Sequence, residues 1–114
     1  MPFIAGKDNV DKKTLSLNAT HPNSTLTEYD VHNFYGHLMS ENTYSYIIND
    51  IIDDLRPFVI TASSFAGTGK YASHALGFNQ RDWKELNYSI STIMNMNMFG
   101  MPHTGGDVCG FFGT

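Results

Sequence analysis

Three sets of residues in this 114-residue chain could do chemistry: the glycine-rich "GTGK" at 67–70, five histidines and eleven carboxylates. The first could hold a phosphate. A phosphate loop of the form G-x-x-x-x-G-K-[ST] wraps phosphate oxygens in backbone amides and offers magnesium the final hydroxyl. Counting back from Gly69 and Lys70, Ser64 stands where the first glycine belongs, and Tyr71 takes the hydroxyl position. Gly67 and Gly69 also lack the third glycine of a dinucleotide fingerprint, because position 72 is Ala72 and no acidic ribose partner lies near position 90. The glycines therefore read as a structural turn.

The histidines stand at 21, 32, 37, 74 and 103. His32 and His37 are five apart, whereas two ligands on one helical face need a spacing of four, so no metal site is predicted. Neither H-E-x-x-H nor G-x-S-x-G occurs. Asp50, Asp53 and Asp54 read as the solvated face of a helix end, and Asp82 and Glu85 as the same kind of feature. Asp107 differs. It lies between Gly105-Gly106 and Cys109-Gly110, where an acid has no packing role, so it is expected to face a polar site.

With 7 basic and 11 acidic residues the net charge is −4, which excludes the basic footprint of a nucleic-acid binder. No apolar run approaches the roughly 20 residues of a membrane span. The start, "MPFIAGKDNVDKK", lacks the features of a signal peptide and taken alone predicts a cytosolic chain. Three glycosylation triplets, at Asn18, Asn23 and Asn87, point to a secretory origin instead, and the compartment stays open. The single cysteine, Cys109, allows no internal disulfide and no cysteine zinc cluster, and is expected to be a small buried hydrophobe.

The elements that must position these residues follow from the apolar pattern. "TLSLNA" (14–19) alternates and predicts a strand, and "THPNSTLTE" breaks it. Asp30 is expected to cap a long helix running to Leu55, with Val31, Phe34, Leu38, Ile47, Ile51 and Leu55 among its helically spaced apolar residues. Pro57 stops that helix. "FVITA" (58–62) predicts a buried parallel strand, 63–80 a loop, "RDWKELNYSISTIMNMNMF" (81–99) a second helix, and 101–108 a strand. This rhythm argues for an α/β fold with parallel strands and helical crossovers. Three such strands form only part of a closed domain, so the chain taken alone is expected to expose sheet edges and to aggregate or fold loosely.

The segments "YDVHNFYGHLMSENTY", "RPFVITASSFAGTGKYASHALGFN" and "NMNMFGMPHTGGDVCGFFGT" resemble, in order and spacing, consecutive segments of glycoside hydrolase family 31, the α-glucosidase family. The likeness runs from about Thr14 to the end. It implies that residues 1–114 are a fragment of a catalytic (β/α)8 TIM barrel, holding roughly the middle to later strands, with no cofactor and no metal. It also implies an α-glucoside or oligosaccharide partner, and places catalytic residues at the C-terminal ends of strands. On this map the nucleophilic Asp, in a W-x-D-M-N-E motif, falls before Met1, and a last-strand histidine falls beyond Thr114.

The resemblance also marks departures. The family loop reads T-R-S-[ST]-F-A-G-[TS]-G-K-[YH]-A-x-H-W-x-G-D-N, and here it reads "TASSFAGTGKYASHALGFN". By that match Ala62 replaces a substrate-contacting arginine, Ala75 a subsite tryptophan and Phe78 the acid/base aspartate. Ser63, Phe65, Gly67, Gly69, Lys70, His74, Gly77 and Asn79 remain. In the G-x-D-[IV]-C-G-F motif Asp107 and Phe111 also remain, and the match gives them to the sugar pocket. A phenylalanine cannot donate a proton, and losing a general acid costs about 100- to 10,000-fold in rate. The resemblance therefore implies a fragment or degenerate copy of a retaining α-glucosidase, inactive as this chain, with a non-catalytic carbohydrate- or partner-binding remnant as the alternative.

Overall fold

The structure is a computed structural model that describes residues 14–51 and 55–113. The chain divides into two compact units, 1–33 and 34–114.

In the first unit the described chain makes a closed loop and the short helix α1, Glu28–Val31. The strand expected over 14–19 does not form. Its backbone serves the helix instead: Ala19 N–H closes a turn on Ser16 O at 2.9 Å, while Ala19 O and Leu17 O accept the N–H groups of Glu28 and Tyr29 at 2.8 and 3.0 Å. Those are donors that a helix start leaves without intrahelical partners. The cap also shifts. Thr27, not Asp30, is the N-cap, and Asp30 at the third helical position accepts both the Thr27 N–H and the Thr27 hydroxyl at 2.8 Å. These two bonds, the backbone one foremost, hold the Asp30 carboxyl below the ordinary aspartate range. Glu28 is buried, with His21 Nε2 3.3 Å from one carboxylate oxygen and His32 Nδ1 3.2 Å from the other.

The expected long helix is interrupted. A 3-10 turn at His32–Phe34 precedes α2, Tyr35–Tyr46, and a π turn at Ile47–Ile51 follows it. Asp50 lies exposed in that π turn, Asp53 and Asp54 lie outside the described residues, and Leu55 is not helical. The apolar spacing of the sequence continues through these turns, but their hydrogen-bond register does not.

In the second unit β1, Ile60–Thr61, pairs in parallel with β2, Ser73–His74, in the register Ile60↔Ser73 and Thr61↔His74. Only two residues of "FVITA" join the sheet, and Ile60 and Phe58 are exposed rather than buried. The stretch read as a loop contains β2 as well as a 3-10 turn, Thr68–Lys70, entered through Gly67 in a left-handed conformation (φ 91°) that glycine adopts without a Cβ clash.

The strand expected over 101–108 is reduced to one parallel bridge, Ala75↔Gly105, and a second, Gln80↔Phe112, follows beyond it. Between them one side advances five residues (80 − 75) and the other seven (112 − 105). The two surplus residues are taken up by a turn in which Gly110 N–H bonds Asp107 O at 2.8 Å, and this breaks the ladder.

Helix α3, Trp83–Met98, forms where expected. Asp82 is its N-cap and accepts the Glu85 N–H at 2.7 Å, so this acid has a positional role rather than lying on a solvated face. The helix ends in a Schellman turn: Gly100 has φ 83°, its N–H bonds Asn97 O, and Met101 N–H reaches Met96 O at 2.9 Å. Met101 is then buried, and with Ala72 it makes up the buried apolar core among the described residues. Trp83, Leu86, Ile90, Met94 and Met98 recur every three or four positions along α3 and all lie exposed. An exposed apolar stripe of that kind is the face by which a helix packs on another surface.

Candidate functional site

The 63–80 segment is fastened to α2 before it reaches the site. Gly36 lets the helix approach Ser63 closely, since a Cβ there would stand 2.6 Å from the Ser63 side chain. His37 Nδ1 lies 2.9 Å from the hydroxyl of the fully buried Thr68, which also accepts the Phe65 N–H at 2.9 Å. Tyr71 donates to Glu41 at 2.7 Å. A buried hydroxyl bonded on two sides fixes the turn. Gly67 and Gly69 thus have a structural cause in this chain: Gly67 takes the left-handed entry to the turn, and a Cβ on Gly69 would meet Gly100 O at 2.6 Å.

The strand ends then set the positions that the resemblance marked. Ala75 N–H donates to Thr61 O at 2.9 Å, one step beyond the Thr61↔His74 pair, so Ala62 and Ala75 lie at neighbouring C-terminal ends of β1 and β2. Both are exposed. Leu76 N–H continues to Gly105 O at 2.8 Å, and Thr104 donates its hydroxyl to His74 O at 2.6 Å. Gly106 is required here because a Cβ would meet Leu76 O at 2.8 Å.

Phe78 lies in the left-handed region, with φ 70°. That conformation is a genuine outlier for a bulky side chain. Its N–H donates to Asp107 Oδ2 at 3.3 Å, and the same oxygen stands 3.2 Å from where a Cβ on Gly77 would be. Asn79 Nδ2 donates to Asp107 O at 3.4 Å, and Asn79 O accepts the N–H groups of Phe111 and Phe112 at 2.8 and 3.1 Å. The Phe78 ring meets Phe111 edge-on at 4.9 Å, and Phe111 meets Phe112 edge-on at 4.8 Å. Such edge contacts contribute about 0.5–1.5 kcal/mol each beyond area burial.

The structure therefore brings Phe78, Asp107 and Phe111 together and sets Ala62 and Ala75 on the adjoining strand ends. Sequence reasoning missed Phe112, the third ring of the cluster. Its signal was adjacency to Phe111 just after a glycine turn. Cys109 is exposed in the 107–110 turn, not a buried hydrophobe, because that turn carries it out of the ladder. Asn79 Oδ1 and His74 Nδ1 are buried without hydrogen-bond partners, and burial lowers the His74 pKa so that its neutral form is favoured.

Beside this cluster α3 and the 105–110 segment enclose a cleft of about 630 Å³. Trp83, Leu86, Ile93 and Val108 give it apolar walls, with Asp107 and Asp82 at its edge. Its chemistry suits packing against protein more than the hydroxyl-rich surface of a sugar. Among the described residues no cluster of three acidic, histidine or cysteine side chains could hold a metal ion, and no helix is long and apolar enough to cross a membrane.

Comparison with known proteins agrees with this arrangement. The model of the glycosyl hydrolases family 31 TIM-barrel domain matches residues 4–114. Alpha-xylosidase 1 of Arabidopsis thaliana is 42% identical over 88% of the chain and 11% of its own length. Alpha-glucosidase of Aspergillus niger is 40% identical over 98% of the chain and 12% of its own length. The crystal structure of the glucosidase II alpha subunit, bound to alpha3-Glc2, aligns with a TM-score of 0.69 and 35% identity, covering 77% of the chain and 10% of that subunit. The chain thus spans about a tenth of the length of these relatives. Its parallel strand ends, turns and helix α3 are part of a (β/α)8 barrel, and the chain belongs to glycoside hydrolase family 31.

Proposed function

We propose that residues 1–114 are a segment of a family 31 catalytic barrel that carries the acid/base loop in a form unable to hydrolyse α-glucosides by itself. The observation that supports this reading is Phe78. It occupies the loop position where the family match puts the acid, and its side chain is a hydrocarbon packed on Phe111. A retaining glycosidase needs two carboxyls about 5 Å apart, one to form the glycosyl ester and one to protonate the leaving oxygen. The carboxylate beside residue 78 is that of Asp107, and it is occupied by a backbone N–H. The partner class, an α-glucoside or oligosaccharide, comes from the family, and the acidic net charge gives no support to nucleic acid.

The test is hydrolysis of maltose and of an aryl α-glucoside by the purified chain. No turnover above background is expected. Turnover that disappears in Asp107→Asn would overturn the reading.

A second reading is a non-catalytic carbohydrate-binding remnant. It is favoured by Phe111 and Asp107, both exposed and both in contact with Phe78, since an aromatic face and a carboxylate acceptor are the groups that hold a sugar ring. Calorimetry with millimolar maltose distinguishes the two. Heat that is lost in Phe111→Ala supports binding, and absence of heat removes it.

A further inference from the structure

We propose that Asn23 is an N-glycosylation site, which takes an oligosaccharide on its side-chain amide as the chain passes through a glycosylating compartment. The triplet Asn23-Ser24-Thr25 forms the tip of a closed loop. Thr20 and Thr27 bridge at the base, His21 N–H bonds Leu26 O at 3.1 Å, and Ser24 N–H bonds His21 O at 3.2 Å. Asn23 stands at φ 59° with its side chain exposed, and Thr25 beside it is exposed as well. The middle hydroxyl, Ser24 Oγ, is used internally to accept the Leu26 N–H at 3.0 Å, whereas Thr25 supplies the hydroxyl that the triplet requires.

The loop is also firmly based. Glu28 is buried between His21 and His32, and the Thr27–Asp30 capping box closes the start of α1 immediately after the loop. A glycan on Asn23 would therefore be carried on a surface turn without displacing any buried group.

The other two triplets are less suited. The Asn18 triplet is held in backbone pairing at the loop base rather than at its tip, since Thr20 bridges Thr27 and Ala19 O accepts the Glu28 N–H. Asn87-Tyr88-Ser89 lies inside α3, where the Ser89 hydroxyl already donates to Leu86 O at 2.7 Å. In the transfer itself, the Asn23 amide nitrogen attacks the anomeric carbon of a lipid-linked oligosaccharyl diphosphate. The new C–N bond replaces the C–O bond to the diphosphate, which leaves with the lipid, and the amide loses one proton.

The experiment translates the full chain, behind a cleavable secretion leader, into microsomes with an active glycosylation machinery. A mobility step reversed by the amidase that cuts the glycan–asparagine bond is expected. It should vanish in Asn23→Gln and Thr25→Ala, and persist in Thr25→Ser and Asn87→Gln. No step, or a step that survives Asn23→Gln unchanged, overturns the proposal. Peptide mapping of the protein from its own cells is the second measurement. Amidase treatment should convert the residue-23 amide to an acid, and a residue 23 found wholly unmodified there overturns the proposal as well.

Discussion

Asp107 Oδ2 accepts the backbone N–H of Phe78 at 3.3 Å, and so the one acid of the 105–110 segment steadies a phenylalanine in a left-handed conformation. Asparagine tolerates that conformation and alanine does not, while both remove the ring. Phe78→Asn should therefore be more stable than Phe78→Ala by about 1 kcal/mol. Chemical denaturation of the two variants measures the difference. Equal stabilities would mean that the left-handed turn is not maintained in solution.

Gly36 permits α2 to approach Ser63. Gly36→Ala places a Cβ within 2.6 Å of the Ser63 side chain, which must shift together with the loop behind it. Overpacking of this kind costs about 1–3 kcal/mol. Gly100→Ala, by contrast, meets no atom within 4 Å and suffers only from its φ of 83°, so it should cost about 1 kcal/mol. Thermal denaturation followed by circular dichroism ranks the pair.

Asp82 caps α3 through the Glu85 N–H. Asp82→Ala should lower stability by about 1 kcal/mol, and Asp82→Asn should restore most of it, because the amide oxygen can accept the same bond. Helix content near the start of α3, read by amide exchange at Glu85, should follow the same order.

Two acid-sensitive groups act in separate windows. Burial depresses the His74 pKa, so the unfolded chain binds that proton more readily than the folded one. Its contribution is complete above about pH 6.5 and is lost as pH falls below that value. The Asp30 carboxyl is depressed by its bonds from Thr27, so its contribution is present above about pH 3.9 and is lost as pH falls through its lowered pKa. A denaturation series spanning both windows should lose the upper step in His74→Gln. Amide exchange at Thr27 should lose the lower step in Asp30→Asn.

The sequence revealed the elements whose pattern depends on near neighbours. Helix α3 follows from its apolar spacing, and β1 from its β-branched run, although only Ile60 and Thr61 find a partner. Distant pairing was invisible. The alternation at 14–19 is real, but those carbonyls go to α1, and the 101–108 strand is interrupted by two surplus residues that only the facing segment makes evident. The cap at Thr27 could have been found from the Thr-x-x-Asp spacing. The family motifs pointed to Ala62, Ala75, Phe78, Asp107 and Phe111; the structure sets Phe78 against Asp107 and Phe111 and adds Phe112 as a third ring. The left-handed turn at Phe78 had no sequence signal, because side-chain type argues against it.

The exposed stripe of α3 gives the protein a built-in optical reporter. Trp83 is the single tryptophan of the chain, and it stands 85% exposed at the rim of the apolar cleft. Its emission should already resemble that of a water-bathed indole in the folded chain, so unfolding will scarcely alter its colour. A shift to shorter wavelength will instead signal that another polypeptide surface has come to rest on α3.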